Sequence, residues 1–167
     1  MLEFAPLTAG NFPEYAADIL ASEEIFPVDI RETAEDYLEA LSQERAVGLV
    51  AHIARRYVGN VVGFHPAGRQ IALLRLDEVP APGAPAVDLV YLFNIVAMPE
   101  FQGQGMGRKL LQAFLGRARE KGFKKVGGHF RGNGSLKNFK DLGGEELAGF
   151  DNWFGTGERY IYCELIL

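Results

Sequence analysis

Three alternating glycines, Gly103, Gly105 and Gly107, stand between an apolar run at Asp88–Ala97 and a segment with helical periodicity. The run before them is too continuous for a half-exposed strand and reads as a buried, central one. After them Met106, Leu110, Ala113, Phe114 and Ala118 recur at helical spacing over Gly105–Lys121, and Gly122 supplies the stop. A buried strand that turns through glycines into a long helix needs a sheet around the strand and a face for the helix. That requirement selects an α/β (α+β) class with a mixed sheet flanked by helices.

The rest of the chain fits this class. Leu2–Leu7 reads as a first strand, and Asn11–Ser22 as a helix with Asn11 at its cap and Pro13 in its first turn. Glu32–Gln43 carries Ala34, Tyr37, Leu38 and Leu41 at helical spacing. Ala46–Arg55 and Tyr57–Phe64 read as strands, with Gly59-Asn60 as a turn or bulge near their junction, and Arg69–Leu76 as a short added strand. Val79–Ala86 is a Pro/Ala/Gly loop, too short to link domains. Lys125–Phe130 is a strand, Ser135–Leu142 a short helix stopped by Gly143-Gly144, and Glu146–Trp153 and Arg159–Leu167 are closing strands. No repeat or linker divides the sequence, so residues 1–167 are expected to form one domain.

Composition narrows the function classes. A chain of 167 residues with 48% hydrophobic residues can bury a core without a staple. It has one Cys and three scattered His, so neither a disulfide nor a metal site is expected. The N-terminus lacks a signal-peptide layout and no apolar run is long enough for a bilayer, so a cytoplasmic protein with no membrane partner is expected. The net charge of −5 is unevenly spread, with 6 Lys+Arg against 15 Asp+Glu in residues 1–100 and 11 against 7 in residues 101–167. Overall acidity argues against nucleic acid, while the basic stretch Gln102–Lys140 suits a locally held anion.

The glycine turn is where such an anion would sit. Without Cβ atoms the backbone can approach a ligand closely, and the unpaired amides of a first helical turn attract phosphate. Two common phosphate loops do not match. Gly107 is followed by Arg108-Lys109-Leu110 rather than the GK[ST] of a nucleotide-triphosphate loop, and G-x-G-x-x-G fails at Arg108.

A third pattern does match. Gln102-x-x-Gly105-x-Gly107 resembles the [Q/R]-x-x-G-x-[G/A] motif of the GNAT-type N-acetyltransferase superfamily. Ile95–Phe101 resembles that family's V-x-P-E-[YF] lead-in, and Ser135-(x)3-Phe139-Lys140-Asp141-Leu142-Gly143 its A-x-x-x-Y-x-K-L-G segment. The resemblance implies a sheet splayed between its fourth and fifth strands, with acetyl-CoA as acyl donor between them. It implies that the backbone of Val96 and Ala97 pairs with the pantetheine arm and that Gln102, Gly103, Gln104, Gly105, Met106, Gly107 and Arg108 hold the pyrophosphate. Asn133, Ser135 and Phe139 are further implied cofactor contacts, and Lys109, Lys124, Lys137 and Lys140 would draw the 3′-phosphate.

The implied reaction is attack of a primary amine on the thioester, the oxyanion being stabilised by a backbone N–H near Ala97 or Met98. Two departures stand out: Phe139 replaces the family's usual Tyr, and the fourth strand offers no Glu or Asp as general base between Leu89 and Met98. Tyr91, Asn94 and His129 are the remaining catalytic candidates, and Cys163 in the apolar last strand reads as core. The alternative function is a non-catalytic acyl-CoA-binding sensor or docking module. Acids gathered at Glu14–Glu44 favour a cationic acceptor. A peptide N-terminus, a lysine, a polyamine, an aminoglycoside and a small amino acid all remain open as acceptors, as does the oligomeric state.

Overall fold

A computed structural model describes residues 1–80 and 87–167. Seven strands form one sheet in the order β1-β2-β3-β4-β5-β7-β6. They are β1 (Leu2–Pro6), β2 (Val47–Ile53), β3 (Arg56–Phe64), β4 (Leu89–Ala97), β5 (Lys125–Arg131), β6 (Glu145–Phe150) and β7 (Tyr160–Ile166). Every neighbouring pair is antiparallel except β4 and β5. That one parallel step requires a crossover, and the long helix α4 (Met106–Glu120) provides it.

Helices α1 (Phe12–Ser22) and α2 (Ala34–Leu41) cover one face, and α4 with α5 (Gly134–Asp141) the other. The two faces are filled by alternate residues of the same strands. Leu49, Val61, Val90 and Leu92 pack with Leu110, Leu111 and Phe114 of α4, whereas Val50, Val62 and Tyr91 pack with Phe12, Ile19 and Tyr37. β3 is buried on both faces, as its central position demands.

Three local expectations change. Arg69–Leu76 is not a strand: Arg69–Leu73 forms a short helix, α3, inside the long β3–β4 connection. The β2–β3 turn falls at Ala54 and Arg55, both in the left-handed region. Gly59 and Asn60 lie within β3, next to a bulge that leaves Val58 without a partner in β2. The strand expected to run to Trp153 ends at Phe150, and Trp153–Gly155 is a single turn held by the Glu158 carbonyl and by Thr156. Of the expected loop 79–86, residues 81–86 lie outside the described residues. No helix among the described residues is long and apolar enough to cross a membrane.

Candidate functional site

β4 and β5 pair only at Leu89–Tyr91 with Lys125–Gly127 and then diverge. The cause lies in β4. Its register with β3 slips between Asn94 and Leu92, leaving Phe93 as an extra residue, and such a bulge bends and twists the strand that carries it. Beyond the bulge one edge of β4 has no partner strand. The Met98 N–H donates to the Val58 carbonyl at 2.9 Å, which sets the antiparallel alternation. Val96 then points its polar backbone groups at β3. Consistent with that, a Cβ built on Gly59 would overlap the Val96 carbonyl oxygen. The groups of Ile95 and Ala97 face the gap, whereas those of Val96, an expected edge contact, are turned to β3. The Met98 amide, already bonded to Val58, is removed as an oxyanion donor.

The glycine turn follows. Gly103 and Gly105 have φ of 75° and 76°, a region that side chains with Cβ rarely enter, and nothing lies within 4 Å of where a Cβ would stand. Gln102 donates from Nε2 to the Ala97 carbonyl at 3.1 Å and Gln104 to the Glu100 carbonyl at 2.9 Å, lashing the turn to the strand end. Gly105 is the N-cap of α4 and no side chain caps the helix. The amides of Met106, Gly107 and Arg108 therefore precede the first intrahelical bond, from Lys109 N–H to the Gly105 carbonyl, and remain free for an anion. Arg108 lies 3.7 Å from Asp141, which also takes Lys137 at 2.6 Å. An open strand edge and an uncapped, glycine-lined helix N-terminus fit a long ligand bearing a pyrophosphate.

The gap widens into a cavity of about 440 Å³. Its floor comes from Leu92–Ile95 of β4 and His129–Arg131 of β5, and its walls from the α1–α2 connection, α2, α3 and the turn carrying Trp153 and Phe154. Asn133 and Ser135 also line it, with Asn133 capping α5 by accepting the Ser135 N–H at 3.0 Å. Phe139 is fully buried against Phe130 and Gly144, and Cys163 is fully buried in the same core. Tyr91, Asn94 and His129 are brought together on this floor. Tyr91 Oη is 2.9 Å from His129 Nδ1, and the imidazole stacks on Trp153 at 4.0 Å between ring centroids. Burial, aided by the Arg75 charge, pushes the His129 pKa down to about 3, so the ring is neutral.

The sequence reading missed two carboxyls here. Glu23, at the end of α1, is buried and accepts from Tyr37 Oη at 2.5 Å, Asn94 Nδ2 at 2.8 Å and the Glu32 N–H at 2.9 Å. Asn94 in turn accepts from Asn60, whose amide oxygen takes the Tyr57 hydroxyl. This chain of polar groups anchors the α1–α2 connection to β3 and β4. It also brings the half-buried Glu32 to the cavity wall. Burial first, then the charges of Asp36 and Glu23, push the Glu32 carboxyl up to about 8. Neither carboxyl has a local sequence signal; both lie in a connection whose role is set by the strands it crosses.

The sequence model of the acetyltransferase (GNAT) family matches residues 14–139, most of the chain, from α1 to α5, and leaves out β1, the last two strands and the Trp153 turn. The chain belongs to this family. Solved structures agree in fold. This acetyltransferase is similar to a ribosomal-protein-alanine N-acetyltransferase from Brucella melitensis, with a TM-score of 0.72, 19% identity and 99% of each chain covered. It is also similar to a GNAT family acetyltransferase from Streptococcus pneumoniae, with a TM-score of 0.74, 12% identity and both chains covered in full. A third likeness is to a GNAT family acetyltransferase from Elizabethkingia anophelis with acetyl-CoA bound, with a TM-score of 0.67, 18% identity and 99% and 98% of the two chains covered. Curated proteins give no sequence match. The acetyltransferase thus has the family's mixed, open sheet, with the carboxyls of its cavity in the α1–α2 region rather than on β4.

Proposed function

We propose that this acetyltransferase moves an acetyl group from acetyl-CoA to a primary, cationic amine held in the cavity between β4 and β5. The observation that supports this best is the junction at Asn94. The open edge of β4 and the uncapped start of α4 lie on the donor side, and a cavity lined by Asp29, Glu32, Asp36 and Glu39 adjoins them.

On this reading the free amides of Met106, Gly107 and Arg108 hold the pyrophosphate, and the edge of Ile95 and Ala97 aligns the pantetheine arm. Alignment of the two substrates supplies much of the rate. The ammonium first gives one proton to the ionised Glu32 carboxylate, the freed amine nitrogen bonds to the thioester carbonyl carbon, the C–S bond breaks, and the second proton leaves nitrogen through solvent. A carboxyl with a pKa near 8 is well matched to the first of these transfers at mildly basic pH. His129, neutral and a poor base with its pKa near 3, serves with Tyr91 and Trp153 as wall. Phe139 has no proton to give the departing thiolate. An ordinary thiol, with a pKa of about 8.5, is a tolerable leaving group that solvent can protonate.

The test is thiol release from acetyl-CoA across a panel of amines, with the acetylated product identified by mass. Release that depends on the amine supports the transfer. Acetyl-CoA binding without release by any amine would instead support the non-catalytic acyl-CoA-binding module.

A further inference from the structure

The cavity has an asymmetric chemistry beyond its acidity. One wall is aromatic. Trp153 stacks on His129 and on Tyr160, the latter at 5.9 Å and 22°, and Phe154 sits edge-on to Trp153 at 4.7 Å. Two apolar side chains that line the cavity are left open to water from different elements, Phe154 at 48% exposure and Leu73 of α3 at 61%. Phe154 also holds a left-handed backbone, φ 47°, a costly conformation for an aromatic residue. Strain of this kind, with apolar exposure at a cavity, marks a surface kept for a ligand.

The charges divide in a second way. No ion pair of the described residues involves Glu32 or Asp29. Each arginine on the wall, by contrast, is already engaged. Arg69 pairs with Glu39 at 3.0 Å and Arg131 with Glu158 at 3.4 Å, and Arg31 donates to the carbonyls of Phe26 and Glu24. The cavity therefore has carboxyls outside any ion pair, while its arginines are held by Glu39, by Glu158 and, for Arg31, by two backbone carbonyls.

We infer that the acceptor is a primary amine joined to an aromatic or bulky apolar body and carrying no carboxylate, its ammonium at Glu32 and its body between Leu73 and the Trp153–Phe154 turn. This rests on the amine-transfer reading above. A cavity of about 440 Å³ suits one such small molecule.

The chain carries a single Trp, so Trp153 fluorescence reports occupancy of this wall independently of turnover. Phenethylamine, propylamine, spermidine and L-phenylalanine are titrated with the full chain saturated with coenzyme A, and the same four are assayed for thiol release from acetyl-CoA. Phenethylamine should alter the fluorescence and exceed each of the others in kcat/KM by about tenfold or more. In Leu73→Ser and Phe154→Asn, Asn being chosen because it tolerates the left-handed backbone, the phenethylamine-to-propylamine ratio should fall toward one. The acetyl-CoA-induced rise in Tm should stay as in the parent, showing that the variants fold. A lead for spermidine or L-phenylalanine, or an unchanged ratio in both variants, overturns the inference and leaves amine transfer standing. Fluorescence binding of phenethylamine without thiol release from any amine supports the inferred ligand and overturns the transfer reading.

Discussion

Glu32→Gln replaces the cavity carboxyl with a neutral isostere and leaves the backbone N–H that donates to Glu23 in place. In the unfolded chain this carboxyl loses its proton near 4.5, and in the folded protein near 8. Between those values the folded state holds a proton that the unfolded state has released. Stability from this group is therefore complete below about pH 4.5 and is lost as pH rises through about 8. The difference corresponds to a ceiling of about 5 kcal/mol, and partial access to water reduces it to about 2–3 kcal/mol. Gln carries no such penalty. The variant should match the parent in Tm near pH 4.5 and exceed it by roughly 5–10 °C at pH 8.5. Scanning calorimetry across this range measures both. In the same variant, kcat/KM should fall by about 100-fold or more and lose the limb that rises with pH toward 8. A Tm gap that does not change with pH would show that Glu32 is not buried enough to hold its proton. A retained limb would show that another group accepts it.

The remaining tests touch other parts of the molecule. Gly105→Asp should abolish the acetyl-CoA-induced rise in Tm, since it adds a Cβ and a negative charge at a φ of 76° beside the α4 amides; an undiminished rise in a folded variant would sink the phosphate assignment. Phe139→Ala should cost about 3–5 kcal/mol in urea unfolding, because its ring is fully buried against Phe130; a cost below about 1 kcal/mol would contradict that packing. Cys163 is fully buried and its thiol is pushed up to about 12, so an alkylating reagent at pH 8 should label it only on unfolding, and rapid native labelling would argue against the β7 placement.

The part of the fold carried by local pattern is legible in the sequence. The apolar run of β4, the glycines that turn it and the spacing of α4 each depend on residues close in the chain, and the family motif adds the splay. Features that depend on distant contacts are not legible. Arg69–Leu73 has too few residues for periodicity to separate helix from strand, and becomes α3 because Gly68, at φ 55°, turns the chain over the cavity. The bulge at Phe93 exists only in the register with β3. Glu32 has an ordinary sequence neighbourhood. Its chemistry comes from burial beside Asp36 and from the bond its backbone makes to Glu23, so no spacing rule could single it out.

Only three residue pairs join β4 to β5, and that brevity separates two tasks along the chain. On the function proposed above, the grip on the donor belongs to the far half of β4 and to the first turn of α4, largely through main-chain groups that most side-chain substitutions do not alter. On the same proposal the acceptor meets the cavity wall, which is assembled from side chains of the α1–α2 connection, α3 and the Trp153–Phe154 turn. A change of amine therefore demands replacements in segments that take no part in holding the donor, and a lineage built on this frame can change its acceptor while inheriting its donor unaltered. The same division makes the chain a suitable scaffold for directed evolution. Libraries confined to the acceptor segments would leave the donor pocket intact.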